Sequence, residues 1–254
     1  MTKIAFIGAG NMNGAIISGL VNTGFAAQDI IVSNPSPEKR LALQEQLGIK
    51  ETADNIVAAN FADFIVLGVK PHFIAEVCQK ISQEIDISNK CFISVAAGCT
   101  VAQMQKALAK PCGIIRTMPN TPSQIGLGVT GLYADENVNT QQKQVAEELM
   151  SSVGIIKWLA TEDEIDNIIA VSGSAPAYFF LFMEAMEKQA IALGFSAKES
   201  RELVQQTALG AAQMVVNNDI PISELRAKVT SKGGTTNAAI NSFIDDGLDK
   251  IVTN

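Results

Sequence analysis

The hydrophobic residues in the first part of the chain form short runs, each followed by a segment compatible with a helix. The first run, Lys3 to Ile7, leads into glycines and then into helix-compatible residues from Met12 to Leu20. A second run at Ile30 to Ser33 precedes a polar loop and a helix-like stretch, Glu38 to Leu47, that ends at a glycine. Strand, tight turn, helix and strand in this order predict a βαβ unit.

Three further strand-like runs continue this pattern towards the middle of the chain. They are Phe64 to Val69, Cys91 to Val95 and Ile114 to Arg116, separated by helix-like segments near Phe73 to Ile81 and Val101 to Leu108. Such alternation is typical of a parallel, doubly wound sheet. Residues 1–160 are therefore predicted to form an α/β domain.

The pattern changes after Trp158, because strand-like runs disappear and long helical stretches replace them. These stretches are Ala175 to Leu193, Ala197 to Asn217 and Thr236 to Phe243. Ser196 and Glu199 have the spacing of a capping box that opens the second stretch. Residues 161–254 are predicted to form an all-α domain.

The helices of this second domain are apolar over much of their circumference, most clearly around Thr207 to Met214. Helices of this kind bury their apolar faces against partners, and about 90 residues offer few partners within the chain. We therefore expect an intertwined homodimer. A self-contained helical bundle is the alternative.

Composition and charge exclude several other classes of protein. The 254 residues carry a net charge of −7 without a run of lysine or arginine, so a nucleic-acid partner is not expected. The N-terminal apolar run is too short for a signal peptide, and no later run of consecutive apolar residues reaches the roughly 20 residues of a membrane span. We expect no membrane partner and a cytoplasmic location.

The four cysteines and the single histidine do not have the spacing of a metal site. None of the cysteines forms a CxxC pair, and His72 is distant in sequence from a second ligand. We expect four reduced, buried thiols and no bound metal.

The glycine turn Gly8-Ala9-Gly10 gives the first domain a candidate chemistry. Residues without a β-carbon let backbone N–H groups approach a pyrophosphate, whose charge the following helix N-terminus also stabilises. The third glycine of the usual fingerprint is replaced by Asn13. The turn predicts a Rossmann-type dinucleotide-binding domain, and a purely structural turn in another α/β protein is the alternative.

The end of the second strand bears on the choice of cofactor. No carboxylate stands there to hold a ribose 2′-hydroxyl; the residues are Ser33 and Asn34, with Lys39 and Arg40 further on. Basic groups at this place favour a 2′-phosphate, and so NADPH. NADH stays open, because Lys39 and Arg40 could equally be solvated helix charges.

Three loops that follow successive strands also carry unusual residues. They are Val69-Lys70-Pro71-His72, Ala96-Ala97-Gly98 and the segment from Met118 to Pro122 that contains Asn120. Ligands of open α/β sheets bind beyond the carboxyl ends of the strands. Each loop alone could be an ordinary turn, but together they predict a nicotinamide site.

Several strings, taken together, resemble the pyrroline-5-carboxylate reductase family. They are GAGNM at 8–12, VKPH at 69–72, RTMPNTP at 116–122, VSGSAPAY at 171–178 and VTSKGGTTNAAI at 229–240. The resemblance covers nearly the whole chain. It implies a Rossmann domain followed by a helical dimerisation domain, dimers that assemble into larger rings such as a decamer, and the last step of proline biosynthesis.

The resemblance also implies a set of site residues. The expected cofactor-binding residues are Gly8, Ala9, Gly10, Asn11, Met12, Ser33, Asn34, Asn55, Val69, Lys70, Pro71, Ala96, Ala97 and Gly98. The expected substrate-binding residues are Asn120, Ser174, Ser231, Gly233, Gly234, Thr235 and Thr236. Thr236 is the expected catalytic residue, with its hydroxyl near the imine nitrogen of pyrroline-5-carboxylate.

Two other functions are compatible with this organisation. One is a different short imine or β-hydroxyacid reductase, for which a lysine is expected near Ser172 to Tyr178, where none is found. The other is a nucleotide-sensing protein without turnover, which a degraded loop at Ser231 to Thr236 would favour. That loop is intact.

Overall fold

The structure is a computed structural model that describes residues 2–254. Its strands are β1 (Ile4–Ile7), β2 (Ile30–Ser33), β3 (Lys50–Thr52), β4 (Phe64–Leu67), β5 (Cys91–Ser94), β6 (Gly113–Pro119), β7 (Gly128–Ala134) and β8 (Gly154–Trp158). The helices up to the last strand are α1 (Asn11–Asn22), α2 (Pro37–Leu47), α3 (Asn55–Phe61), α4 (Pro71–Glu84), α5 (Val101–Leu108) and α6 (Thr140–Ser151). Those after it are α7 (Glu164–Ile168), α8 (Ala175–Ala192), α9 (Ala197–Val216), α10 (Ile222–Lys228), α11 (Thr235–Asp245) and α12 (Leu248–Thr253).

The eight strands form one sheet in the order β3-β2-β1-β4-β5-β6-β7-β8. The strands from β1 to β6 pair in parallel, as the sequence predicted for a Rossmann-type domain. The sheet also contains three strands that the sequence did not predict, β3, β7 and β8; β7 is antiparallel to β6, and β8 is parallel to β7. The connection from Asn120 to Leu127 is too short for the crossover that parallel pairing needs.

Both faces of the sheet are buried, as a doubly wound sheet requires. Along β1, Ile4 and Phe6 belong to one apolar core cluster, whereas Ala5 and Ile7 belong to another. All four residues are fully buried. The four cysteines are free and buried as expected, and no cluster of metal ligands occurs among residues 2–254.

The chain forms two compact units, of which the first ends at Tyr178 and the second comprises Phe179–Asn254. The second unit is helical, and the capping box of Ser196 and Glu199 at the start of α9 is confirmed. A domain boundary between residues 160 and 161 stays a prediction.

The second unit exposes many large apolar side chains. Phe179 and Leu181 in α8 are 69% and 67% exposed, and α9 and α12 carry further exposed residues. Because isolated domains rarely leave so much apolar surface in water, these helices are suited to packing against another chain.

One expectation about membrane segments needs correction. The continuous helical stretch Glu164–Ala192 is long and apolar enough to cross a membrane by length and composition. The count of consecutive apolar residues missed it because polar residues such as Asp166, Ser172 and Glu184 interrupt the run. Apolar helices that pack against a second subunit have the same composition, so this finding does not establish a membrane span.

Candidate active site

The glycine turn lies where the first strand passes into the first helix. Gly8 has φ +98°, a left-handed conformation that favours glycine. A β-carbon on Gly8 would lie 2.9 Å from the carbonyl oxygen of Gly68, at the end of the neighbouring strand β4. The backbone N–H of Gly8 donates to the carbonyl of Ser33, at 2.8 Å, which ties the turn to the end of β2. The turn therefore lies between three strand ends.

The N-terminus of α1 has the free groups that a pyrophosphate site requires. Gly10 is the N-cap residue, no side chain caps the helix, and its first turn contains no acidic residue. The N–H groups of Asn11 and Met12 are therefore available to an anion. A β-carbon on Gly10 would meet the protein only at an ordinary contact distance, 3.7 Å from the Gly68 oxygen. The space beside Gly10 is therefore not filled by the protein and is open to a bound dinucleotide.

Asn13 explains why the third fingerprint glycine is missing. Its side-chain amide donates to the carbonyls of Gly8, at 2.7 Å, and Ile7, at 3.3 Å, and only 1% of the residue is exposed. A β-carbon on Gly68 would overlap this amide. The close approach between α1 and the sheet thus uses a glycine directly after β4, Gly68, instead of one on α1. Sequence reasoning missed Gly68, although a glycine directly after the run FIVL was the available signal.

The residues predicted at the end of β2 lie together. The hydroxyl of Ser33 donates to the side-chain oxygen of Asn55, at 2.7 Å, and the side-chain oxygen of Asn34 accepts from the N–H of Ala9, at 3.2 Å. The amide nitrogen of Asn34 donates to the carbonyl of Ser36, at 3.0 Å. The structure therefore brings the candidate ribose-binding residues next to the glycine turn.

Lys39 and Arg40 have different environments. Arg40 forms an ion pair with Glu51 on β3, and the two side chains are only 15% and 19% exposed. Lys39 is exposed at the start of α2. Arg40 is thus already paired with a carboxylate, and Lys39 is the better candidate for a charge near a 2′-phosphate.

The loops after β4 and β5 are neighbours, because those two strands pair in parallel. Lys70 is the N-cap residue of α4 and leaves the helix without a side-chain cap. After β5, Ala97 and Gly98 are exposed, and Gly98 has φ +76°. Pro71 and Gly98 line the same groove of about 860 Å³ between α4 and α5. Predicted cofactor residues from two strands therefore lie at one edge of the sheet.

The VSGSAPAY segment contains a feature that the sequence did not reveal. Residues Ile169–Gly173 form a π-helical turn between α7 and α8, in which the N–H of Ser174 donates to the carbonyl of Ile169, at 2.9 Å. Asn120 lies beside this turn and donates to the carbonyl of Ser172, at 2.9 Å. Turns of this kind occur often at functional sites. Two of the motifs that carry the family resemblance are therefore in direct contact.

A largely buried ion pair connects β6 to the start of α5. Arg116 on β6, 6% exposed, donates to Glu162 at 2.9 Å, and the same carboxylate oxygen accepts from the N–H of Val101 at 2.8 Å. Glu162 thereby stabilises the N-terminus of α5 as well as the charge of Arg116. Sequence reasoning missed this pair, because 46 residues separate its members.

The loop predicted to bind the substrate carboxylate belongs to the second unit. Gly233 has φ +75°, and Gly234 is the N-cap residue of α11, without a side-chain cap or an acidic residue in the first turn. A β-carbon on Gly234 would lie 2.6 Å from the hydroxyl oxygen of Ser231, so the Ser231 side chain lies close against the backbone of the turn. Thr235 and Thr236 form the start of the helix and are exposed. This geometry leaves N–H groups free for an anion.

The fold and the glycine turn are those of a Rossmann-type dinucleotide-binding protein with a helical C-terminal region. Residues 3–98 match the family model described as NADP oxidoreductase coenzyme F420-dependent. Residues 162–254 match the model described as pyrroline-5-carboxylate reductase dimerisation. The chain belongs to the pyrroline-5-carboxylate reductase family.

Relatives along nearly the full length show this membership. A pyrroline-5-carboxylate reductase of Vibrio alginolyticus is 53% identical over 98% of this chain and 92% of its own. The structure of a pyrroline-5-carboxylate reductase from Coxiella burnetii is 41% identical, with a TM-score of 0.94 over 99% of this chain and 93% of that one. A Plasmodium falciparum pyrroline carboxylate reductase with NADP bound is 28% identical, with a TM-score of 0.87 over 100% and 93%.

Proposed function

We propose that this chain reduces 1-pyrroline-5-carboxylate to L-proline with a hydride from NAD(P)H, the last step of proline biosynthesis. The observation that carries the proposal is family membership over nearly the whole chain, at up to 53% identity. The uncapped glycine turn at the start of α1 and the uncapped loop at the start of α11 supply the two anion sites that such a reaction needs.

The cofactor half of the site consists of residues in the first unit. The N–H groups that follow Gly10 would bind the pyrophosphate, and Ser33, Asn34 and Asn55 would hold the adenosine ribose. The exposed side chain of Lys39 favours NADPH over NADH. The loops at Val69–Pro71 and Ala96–Gly98 would enclose the nicotinamide, which supplies the hydride when it is bound.

The substrate half of the site would use the loop at Ser231 to Thr236. The substrate carboxylate would accept hydrogen bonds from the free N–H groups of Thr235 and Thr236, where the positive end of the helix dipole also lies. Lys232 adds a positive charge within the loop. In the first unit, Ser174 at the end of the π-turn is the other proposed substrate-binding side chain.

The Thr236 hydroxyl would form a hydrogen bond with the ring nitrogen: it donates to a neutral imine, and its oxygen accepts from the N–H of a protonated one. Hydride adds to the imine carbon while the C=N π electrons become the lone pair of the amine nitrogen, and a proton on that nitrogen favours the step. An imine can be protonated in solution before it binds, so no strong protein acid is required. Positioning of both reactants, worth roughly 7–11 kcal/mol at best, would then supply most of the acceleration.

The first test is the oxidation of NADPH and of NADH by the purified protein, followed at the absorbance of the reduced cofactor, with and without the imine. We expect imine-dependent oxidation that Thr236→Ala lowers by roughly tenfold or more. The control is Thr140→Ala, an exposed threonine at the start of α6. No imine-dependent oxidation by a folded sample would refute the reductase function, whereas an unaffected Thr236→Ala would refute only the role of Thr236.

The match of residues 162–254 to a dimerisation model indicates that the chain oligomerises. We propose a cytoplasmic homodimer formed through α8 to α12, which could assemble further into a ring such as a decamer. Light scattering should give a dimer or a multiple of it. Leu181→Glu, on the exposed apolar face of α8, should shift the mass towards the monomer, whereas Leu41→Glu on α2 should not. A monomeric wild-type protein would contradict the proposal.

A further inference from the structure

The π-turn leaves one backbone carbonyl without its usual partner. In a continuous α-helix the carbonyl of Ser172 would accept from the N–H of residue 176. Residue 176 is proline, which has no N–H. Ser172 is only 9% exposed, so water has little access to replace that bond. A buried carbonyl without a donor costs free energy, and the turn therefore needs a donor from elsewhere.

Asn120 supplies that donor from the end of β6. Its side-chain nitrogen lies 2.9 Å from the Ser172 carbonyl oxygen, and its side-chain oxygen accepts from the N–H of Val129, also at 2.9 Å. Exchanging the amide oxygen and nitrogen would remove both bonds, so the two partners fix the orientation of the amide. Asn120 is 6% exposed. Both groups of its side chain are thus engaged by the protein.

We propose that Asn120 is a positioning residue, whose amide replaces the hydrogen bond that Pro176 cannot donate and thereby holds the π-turn in the geometry that presents Ser174 to the substrate. This role rests on the proposed reductase function. It differs from the direct substrate contact expected from the sequence, because the Asn120 side chain acts through the turn.

The surroundings of the turn support a positioning role. A β-carbon on Gly173 would lie 3.1 Å from the terminal methyl group of Met118, so the turn approaches β6 closely. The hydroxyl of Ser172 is engaged too, since it donates to the carbonyl of Ile168 at 2.9 Å. Three interactions therefore hold the turn: its own backbone hydrogen bonds, the contact with Met118 on β6, and the hydrogen bond from Asn120.

The first test uses Asn120→Asp, which keeps an acceptor for Val129 and removes the donor to Ser172. Hydrogen–deuterium exchange should become faster in peptides that span 169–178 and stay unchanged in peptides that span 139–151. The matched control is Asn139→Ala, which removes a side-chain cap from α6 far from the motif. Unchanged exchange at 169–178 would overturn the proposal, and this readout does not depend on enzymatic activity.

The second test separates positioning from mere stability. Asn120→Asp should lower kcat/KM for the imine by roughly tenfold, while the Kd for NADPH without substrate stays unchanged. Asn139→Ala should lower Tm and leave both constants unchanged. If Asn120→Asp lowered only Tm, Asn120 would be a structural residue and the proposal would be wrong.

The third test asks whether Asn120 acts through Ser174. The double variant with Ser174→Ala should be no slower than the slower single variant, because both substitutions remove the same interaction. Losses that multiply would show an independent contact and overturn the positioning role. If the wild type itself gave no imine-dependent oxidation, the proposed function would fail, and the exchange experiment alone would still decide whether Asn120 holds the turn.

Discussion

The side-chain amide of Asn13 donates a hydrogen bond to the carbonyl of Gly8, at 2.7 Å, from inside the first turn of α1. This bond connects the helix to the strand end at the place where dinucleotide-binding turns usually have a third glycine. The usual glycine permits close packing of helix and strand. Here the packing is achieved by a side chain that bonds to the strand backbone and occupies the space beside Gly68.

The first prediction concerns this amide. Asn13→Ala would leave the buried carbonyl of Gly8 without its donor, which should lower the free energy of unfolding by about 1–3 kcal/mol. Since the same carbonyl belongs to the glycine turn, the Kd for NADPH should rise as well. Urea denaturation and fluorescence titration measure the two effects. Asn22→Ala, at the exposed end of the same helix, should change neither; equal effects of both substitutions would contradict the prediction.

The second prediction separates folding from cofactor binding at Gly10. Gly10 has φ −72°, which alanine adopts readily, and a β-carbon there meets the protein only at 3.7 Å. Gly10→Ala should therefore keep nearly the wild-type Tm while raising the Kd for NADPH by roughly tenfold or more, because the methyl group would occupy the space of the pyrophosphate. Unchanged affinity would refute the placement of the pyrophosphate at this turn.

Gly24 is a matched control for Gly8, the first glycine of the turn. Their φ angles are +98° and +99°, so alanine would impose the same backbone strain of roughly 1–2 kcal/mol at both. A β-carbon on Gly24 meets no atom within 4 Å, whereas one on Gly8 lies 2.9 Å from the Gly68 oxygen. Gly24→Ala should lower only Tm, and Gly8→Ala should lower both Tm and cofactor binding.

The sequence predicted the features of the site that depend on local patterns. The strand before Gly8, the helix after Gly10 and the strand end at Ser33 each follow from a run of residues and its turn signal. The π-turn at Ile169–Gly173 could not be predicted in this way, since it includes a hydrogen bond to Asn120, which lies 52 residues away in the sequence. The ion pair of Arg116 and Glu162 is likewise a contact between distant segments.

The added strands β7 and β8 were missed for a different reason. β7 begins at Gly128 and contains Gly131, and β8 begins at Gly154, so glycines weaken the apolar pattern by which a strand is recognised. These glycines are required by packing: a β-carbon on Gly131 would lie 2.9 Å from the side chain of Ile168 in α7. Only the folded neighbours reveal that requirement.

The third prediction concerns the choice between NADPH and NADH. Lys39 is exposed and lies on α2, just beyond the strand end at Ser33. Lys39→Gln should raise KM for NADPH by up to about fivefold, because an exposed charge pair contributes at most about 1 kcal/mol. KM for NADH should stay unchanged, because NADH has no 2′-phosphate. Lys80→Gln, on the exposed surface of α4, is the control. If KM for NADPH did not change, Lys39 would be an ordinary solvated charge.

The fourth prediction concerns the reactivity of the buried thiols. Burial raises the pKa of Cys78 from 9.0 to about 12 and that of Cys112 to about 11, and it also raises the pKa of Cys91 and Cys99. A thiol reacts as its thiolate. At pH 8 an aromatic disulfide reagent should therefore modify no cysteine of the folded protein rapidly and should modify all four after denaturation. A fast-reacting thiol in the folded protein would contradict the burial of that cysteine.

The same pKa shifts give the stability of the protein a pH dependence with a definite sign. The folded state retains the thiol proton more tightly than the unfolded chain, so the unfolded state loses protons first as the pH rises above about 9. The contribution of Cys78 is therefore fully present below pH 9 and is lost as the pH rises towards 12. Between pH 8 and pH 10.5 this loss amounts to about 1–2 kcal/mol. Urea denaturation at the two pH values measures how far the free energy of unfolding decreases. The decrease should be smaller for Cys78→Ala than for the wild type, because groups other than Cys78 titrate alike in both proteins. An equal decrease would show that Cys78 does not contribute.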